Sequence, residues 1–300
     1  MSEIWTAEYH VGEGLAAELI GAQFGPLPRR SVEMLSQGWD YVVHRVDEEW
    51  VFRFPRRQAV VPGTERELAV LPVLADLLPL AVPRPVYVGR PTDAYRWPFY
   101  GARFLPGVEA GAARIDDAAR VRLARPLARA LRALHGPETL AAVGDLLPVD
   151  LQRRADMPFR VGRTREALAA CSDLWAAPPL VDDVLERALA LPAARATAVC
   201  HADLHFRQVL VDGDEATGLI DWIDVCRADP GIDLQLAWSL LPPAGRDAFF
   251  EEYGPVGEGS LLRARVVALF LNAVLLRYAH EEGMRDVEVE ALASLRRTVA

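Results

Sequence analysis

The sequence is poor in cysteine and has no apolar run long enough to cross a membrane. Its three cysteines, Cys171, Cys200 and Cys226, lack the spacing of a metal or redox motif, so a disulfide framework is not expected. The amino terminus has no basic segment followed by an apolar run, which argues against a secretory signal. The apolar run Val266–Leu276 is too short to span a bilayer and is interrupted by Asn272. These absences predict a cytoplasmic protein without a membrane partner.

The sequence also lacks an excess of basic residues. It has 33 basic and 42 acidic residues, a formal net charge of −9. This balance argues against nucleic acid as a partner and fits a small cationic substrate. Its 300 residues, 51% of them hydrophobic, are enough to bury one large core or two moderate ones. The protein is expected to be a monomer or a homodimer.

The most informative stretch lies in the last third of the chain. A polar cluster, His201–Gln208, lies between short apolar runs, and Gly213 and Gly218 bracket a turn between the two runs that follow it. This pattern predicts a β-hairpin. Asp203 then lies on the loop that enters the hairpin and Asp221 lies where the second strand ends. Such a carboxylate pair suits phosphoryl transfer, in which one accepts a hydroxyl proton and the other holds magnesium.

The order His201-Ala-Asp203-x4-Gln208, followed by Ile-Asp221-Trp, resembles the catalytic and metal-binding loops of protein-kinase-like enzymes. It is most similar to the aminoglycoside phosphotransferase family, which has His-Gly-Asp-x4-Asn and then Ile-Asp. The resemblance implies that Asp203 is the catalytic base and that Asp221 and Gln208 bind Mg²⁺. His205 falls where protein kinases have a lysine near the γ-phosphate, so it is expected either to donate there or to serve in packing.

Gln208 departs from the family pattern, which has asparagine there, whereas the related macrolide phosphotransferases have histidine. Two interpretations remain open. In one, the loop adjusts to the extra methylene and the amide oxygen binds magnesium. In the other, this ligand is lost and Asp221 holds the metal with added water molecules. The second interpretation is slightly favoured by the sequence.

The amino-terminal third predicts one helix and a five-stranded antiparallel sheet. The helix is expected over 7–24, ended by Gly25-Pro26, and the strands over Ser31–Leu35, Tyr41–Val46, Glu49–Phe54, Val86–Val88 and Phe99–Phe104. Helical spacing dominates after Leu105-Pro106-Gly107. The resemblance implies an α+β, two-lobed protein-kinase-like fold, with a nucleotide-binding lobe over 1–105, a hinge near 103–107 and a helical lobe over 106–300.

Two nucleotide contacts in the first lobe are implied by the resemblance. The turn Ser36–Asp40 occupies the position at which kinase-like folds have the loop that covers the nucleotide phosphates, although it contains only one glycine, Gly38. Its expected contacts come from Ser36 and Gly38. The backbone from Arg103 to Leu105 has the place of the segment that binds the adenine.

Arg53 is a lone cation in the middle of an apolar strand, a position that requires an anionic partner. Kinase-like enzymes have a lysine here, paired with a glutamate on the next helix. Arginine also binds phosphate oxygens. Glu67 on the following helix is the expected partner, with Glu65 as its competitor.

The sequence therefore predicts an ATP- or GTP-dependent phosphotransferase that acts on a hydroxyl of a small molecule. An aminoglycoside or macrolide antibiotic, or a similar metabolite, is the expected acceptor, which suggests a role in antibiotic resistance. Two alternatives remain: a catalytically weak nucleotide-binding homologue, and a metal hydrolase that uses His201, Asp203 and His205 as ligands. Asp224, Asp229 and Asp233 are expected to brace loops, although Asp224 can also meet a cationic substrate.

Overall fold

A computed structural model describes residues 7–25, 27 and 31–300, and the chain divides into two compact units. Unit 1 comprises Met1–Asp76 and Val82–Leu105, and unit 2 comprises Leu77–Ala81 and Pro106–Ala300. Pro26, part of the predicted helix stop, lies outside the described residues.

Unit 1 is built on a five-stranded antiparallel sheet, as the sequence predicts. Its elements are α1 (Glu13–Gln23), β1 (Val32–Gln37), β2 (Tyr41–Val46), β3 (Trp50–Pro55), α2 (Val61–Leu77), β4 (Pro85–Gly89) and β5 (Phe99–Arg103). The strand order is β1-β2-β3-β5-β4. Phe52, Phe54 and Phe99 lie in an aromatic core with Tyr95 and Trp97.

Two predicted boundaries in unit 1 were wrong by more than one residue. α1 begins at Glu13 rather than at residue 7. β1 continues past Leu35 to Gln37 through an irregularity between Met34 and Ser36. Polar, exposed residues at the end of an edge strand give no alternating apolar signal, so the sequence pattern stops too early.

Unit 2 is mostly helical and also carries short strands. Its helices are α3 (Asp117–Leu134), α4 (Pro137–Val143), α5 (Met157–Ala170), α6 (Leu180–Leu189), α7 (Gly231–Ser239), α8 (Pro243–Tyr253), α9 (Glu258–Glu281) and α10 (Arg285–Val299). Its strands are β6 (Val108–Glu109), β7 (Ala198–Cys200), β8 (Val209–Asp212), β9 (Glu215–Leu219) and β10 (Cys226–Ala228).

The predicted hairpin is present as β8 and β9, with a tighter turn than expected. The strands pair from Val209 opposite Leu219 to Asp212 opposite Glu215, so the turn is Gly213-Asp214. Gly213 has φ +60° and supplies the left-handed conformation that such a turn requires. Gly218 lies within β9, opposite Leu210, rather than in the turn.

The longest helix, α9, is apolar and long enough to cross a membrane by length and composition alone. More than half of its most apolar window is buried within unit 2, where α9 packs against α5, α7 and α10. This burial is typical of the core helix of a soluble protein. Asn272 is fully buried in it and donates to the carbonyl of Ala268 at 2.7 Å.

Candidate active site

The loop 201–208 leaves β7 and enters β8, and Asp233 near the start of α7 holds its first residues. The two carboxylate oxygens of Asp233 accept hydrogen bonds from the backbone amides of His201 at 2.7 Å and Ala202 at 2.8 Å. Burial acts to raise the pKa of Asp233, but hydrogen bonds from His135 and from the loop backbone hold it below its usual value. Asp233 is thus a buried, ionised brace of the loop, as expected from the sequence.

His135 is the C-cap of α3, as its position before Gly136 indicates, and its amide donates to the carbonyls of the last turn. Its side chain has a second role, because Nε2 lies 3.1 Å from Asp233 and Nδ1 lies 2.8 Å from the hydroxyl of Tyr253. The imidazole therefore connects α3 and α8 to the carboxylate that holds the loop.

His201 links the loop to the end of the hairpin. Its Nε2 donates to the carbonyl of Ile220 at 2.9 Å, and its Nδ1 accepts from the amide of Asp203 at 3.3 Å. Burial lowers the pKa of His201, so the ring is neutral. Because both ring nitrogens have partners within the protein, His201 is poorly suited to the metal-hydrolase alternative.

Two residues beside these contacts have backbone conformations that favour glycine. Ala202 has φ +73°, at the position where the aminoglycoside phosphotransferase pattern has glycine. Asp221 has φ +67°. Left-handed conformations of non-glycine residues cluster at functional sites, and these two flank the loop and the hairpin exit.

Asp203 is a partly accessible carboxylate, with 28% of its side chain exposed. Its Oδ2 lies 3.8 Å from His205 Nε2, and its Oδ1 lies 3.8 Å from Arg154 Nη2. Burial, aided by the charge of Arg207, lowers the pKa of His205 to about 3. His205 Nδ1 accepts from the amide of Arg207 at 3.3 Å, so the ring is neutral and carries its proton on Nε2.

Gln208 and Asp221 come together at the base of the hairpin. Ile220 donates its amide to the carbonyl of Gln208 at 3.0 Å, and Gln208 Nε2 lies 3.5 Å from Asp221 Oδ2. The Gln208 amide oxygen is buried and accepts no hydrogen bond from the described residues. An amide oxygen without a donor beside a carboxylate is the ligand chemistry that Mg²⁺ prefers, so these residues fit a magnesium site.

Sequence reasoning missed Arg154, which lies 49 positions before Asp203 in an irregular segment. Its Nη2 is 2.7 Å from Asp224 Oδ2. Asp224 therefore already has a cationic partner, and its expected role as a loop brace describes it better than contact with a cationic substrate. Asp229 is also a brace, since it accepts from the amide of Gly231 at 2.9 Å and pairs with Arg263.

Arg53 in unit 1 has the acidic partner that its apolar strand requires. Its Nη2 lies 3.8 Å from Glu67 Oε1, and its guanidinium lies 4.2 Å from the centre of the Tyr41 ring. Tyr41 donates its hydroxyl to Glu67 Oε2 at 2.6 Å. Glu67 is fully buried, whereas the competitor Glu65 is exposed.

The other predicted nucleotide contacts lie at the ends of strands in unit 1. Ser36 ends the irregular part of β1 and pairs with Val43. The amide of Gly38 donates to the carbonyl of Tyr41 at 2.9 Å, so that amide is used inside the turn. Arg103, the last residue of β5, pairs with Glu49 through an exposed side chain, and Leu105 ends unit 1. Their roles toward a nucleotide stay predictions.

One further group could hold a metal ion by proximity among the described residues. It consists of His135, Cys200 and Asp233, whose ligand atoms lie within 4.8 Å of one another. The oxygens of Asp233 already accept hydrogen bonds from two amides and from His135. This group is a hydrogen-bonded brace and offers no support for a hydrolase.

A family model described as the phosphotransferase enzyme family matches residues 31–265. The chain belongs to this family. The prediction of a small-molecule kinase is therefore confirmed, as is the resemblance to aminoglycoside phosphotransferases. None of the curated proteins compared with this chain matches it.

Solved structures of phosphotransferases have the same fold. The GDP complex of aminoglycoside 2'-phosphotransferase-IIIa is 22% identical, with a TM-score of 0.67 over 96% of this chain and 98% of that chain. The GDP and kanamycin complex of APH(2")-IIia is 24% identical, with a TM-score of 0.66 over 94% and 97%. Macrolide 2'-phosphotransferase MphH from Brachybacterium faecium is 24% identical, with a TM-score of 0.59 over 94% and 98%. The predicted kinase-like α+β fold is confirmed.

Proposed function

We propose that this phosphotransferase moves the γ-phosphoryl group of ATP or GTP to a hydroxyl of a small molecule, in the cytoplasm and with magnesium. The observation that carries the proposal is the Gln208–Asp221 pair beside the braced loop that presents Asp203. The GDP-bound relatives support a nucleoside triphosphate as donor. The three cysteines are free and buried, which suits a reducing compartment.

In this proposal Asp203 binds the acceptor hydroxyl and takes its proton as the new bond to phosphorus forms and the bond to the nucleoside diphosphate breaks. Its partial exposure leaves it accessible to an acceptor. The neutral Nε2–H of His205 and the charge of Arg154 face its two oxygens. His201, Asp233 and His135 hold the loop and do not contact the reacting atoms.

Gln208 and Asp221 would hold the metal through an amide oxygen and a carboxylate. Bound magnesium neutralises phosphate charge during transfer. In unit 1, Arg53 would present its guanidinium to the phosphates while Glu67 and Tyr41 fix its orientation. The turn with Ser36 and Gly38, and the backbone from Arg103 to Leu105, would complete the nucleotide contacts.

The net charge of the chain does not decide the class of acceptor. Acidic side chains on the helices of unit 2 are paired with arginines, so their negative charge is already compensated within the protein. The pairs are Glu251 and Glu252 with Arg125, and Glu281 with Arg277. Aminoglycosides and macrolides both remain candidate acceptors, and the relatives act on one or the other by name.

The test is a panel of aminoglycosides, macrolides and simple hydroxyl metabolites, each incubated with ATP or GTP and magnesium. Nucleoside diphosphate release above the acceptor-free rate, with a phosphorylated acceptor detected by mass spectrometry, supports the proposal. Magnesium-dependent nucleotide binding without transfer to any acceptor contradicts it and supports the catalytically weak homologue instead.

A further inference from the structure

Arg154 lies in a tight turn that precedes α5. Asp150 accepts hydrogen bonds from the amides of Arg154 at 2.9 Å and Ala155 at 2.8 Å, and Arg153 in this turn has φ +51°. Asp150 in turn is connected to β10, because its amide donates to the carbonyl of Arg227 at 3.0 Å. The backbone that carries Arg154 is therefore fixed to the same small sheet from which the loop 201–208 emerges.

The side chain of Arg154 lies between two carboxylates that come from different loops. Only 12% of it is exposed. The same Nη2 atom is 2.7 Å from Asp224 Oδ2 and 3.8 Å from Asp203 Oδ1. Asp224 makes the short ion pair and holds the guanidinium. Asp203 lies at the longer distance from the same nitrogen and remains partly exposed.

The guanidinium is charged throughout the working pH range. Burial acts to lower the pKa of Arg154, but the charges of Asp224 and Asp203 raise it above its ordinary value. His205, which falls where protein kinases have a lysine near the γ-phosphate, is neutral. The cation beside Asp203 in unit 2 is thus supplied from the turn before α5 rather than from the loop itself.

We propose that Arg154, clamped by Asp224, is a positioning residue for phosphoryl transfer. It orients the Asp203 carboxylate and places a fixed positive charge beside the acceptor hydroxyl, in place of the lysine of protein kinases. This inference rests on the proposed function, in which Asp203 accepts the hydroxyl proton.

The test compares Arg154→Ala, Arg154→Lys and a matched control, Arg163→Ala. Arg163 is an exposed arginine on α5 that pairs with Glu166 three residues away. For each variant, kcat and the KM of acceptor and nucleotide are measured with the best acceptor of the panel, and thermal unfolding checks the fold. Arg154→Ala should lower kcat by about 10²-fold, as expected for the loss of one preorganised donor, with the nucleotide KM nearly unchanged. Arg154→Lys should recover part of the loss, and Arg163→Ala should match the wild type.

Guanidinium ion, added at millimolar concentration, separates positioning from a structural role. It should restore part of kcat in Arg154→Ala and have no such effect in Asp203→Ala. If Arg154→Ala keeps the wild-type kcat, this inference is wrong, whereas the proposed function is unaffected. An equal loss of nucleotide affinity without rescue by guanidinium assigns Arg154 a structural role and also overturns it. If the wild type transfers no phosphoryl group to any acceptor, the proposed function fails first and this inference with it.

Discussion

Gln208 stands where the family resemblance leads us to expect asparagine, and its surroundings favour metal binding. Its amide reaches Asp221, and its oxygen is buried without a donor among the described residues. Leaving such an atom unsatisfied is costly, which implies a partner in the working enzyme. The sequence slightly favoured a lost ligand, and the geometry leads us to propose the opposite.

Gln208→Asn should therefore be damaging, because the shorter side chain withdraws the carboxamide group from its place beside Asp221. We expect the magnesium-dependent part of nucleotide affinity to fall about tenfold, or about 1.4 kcal/mol. Calorimetric titration of nucleotide at several magnesium concentrations measures this, with thermal unfolding as the control for folding. Equal or tighter binding by Gln208→Asn would show that the metal is held without this side chain.

At the scale of elements, β3 and α2 hold a buried charged cluster that the sequence could only partly predict. The alternation of β3 identified Arg53 as a cation in need of an anion, and Glu67 is the partner. The Tyr41 ring against Arg53 and the hydrogen bond of Tyr41 to Thr64 at 2.7 Å have no sequence signal, because they join residues from three separate segments. All 33 Lys and Arg residues of the chain are arginines, so an arginine at this position is in keeping with the whole sequence.

This cluster yields a prediction with an internal control. Arg53→Ala should weaken nucleotide binding by about tenfold, and Glu67→Ala should weaken it less, because it only frees the guanidinium to reorient. Tyr41→Phe keeps the ring and removes the hydroxyl, so it should reduce the free energy of unfolding by about 1 kcal/mol and leave nucleotide affinity unchanged. Nucleotide titration and denaturant unfolding separate these effects. A cluster that only supports folding would change stability in all three variants and affinity in none.

The candidate site shows where prediction from sequence stops. The motif 201–208 and the exit of β9 were recognisable because their residues follow one another in a fixed order. Arg154 and His135 were missed as site residues because each approaches the loop from a distant segment, and neither belongs to a periodic pattern. Ala202 gave no warning of its positive φ, since alanine carries no preference for that conformation.

For the whole molecule, three buried histidines predict loss of stability in mild acid. Burial lowers the pKa of His44, His201 and His205 below the ordinary 6.5. A depressed folded-state pKa means that the unfolded chain binds more protons below about pH 6.5, so the free energy of unfolding should decrease as the pH falls from 6.5 toward 3.

His44→Gln tests this dependence away from the catalytic loop. His44 is fully buried in unit 1, and its Nε2 donates to the carbonyl of Val11 at 2.8 Å, a hydrogen bond that a glutamine amide can keep. The substitution should reduce the slope of unfolding free energy against pH by up to about 1.4 kcal/mol per pH unit just below pH 6.5, where the His44 side chain of the unfolded chain binds its proton. Denaturant unfolding at a series of pH values measures the slope. An unchanged slope would mean that His44 has the same pKa in the folded and the unfolded chain, which would contradict the prediction.

The most direct test of the account separates the two aspartates of the site in one experiment. Asp203→Ala and Asp221→Asn are compared with the wild type for nucleotide affinity, with and without magnesium, and for phosphoryl transfer to the best acceptor. The account predicts that Asp203→Ala keeps magnesium-dependent nucleotide binding and loses turnover by about 10²–10⁴-fold, whereas Asp221→Asn loses the magnesium dependence and the turnover together. Retained turnover in Asp203→Ala, or an unchanged magnesium dependence in Asp221→Asn, would contradict it.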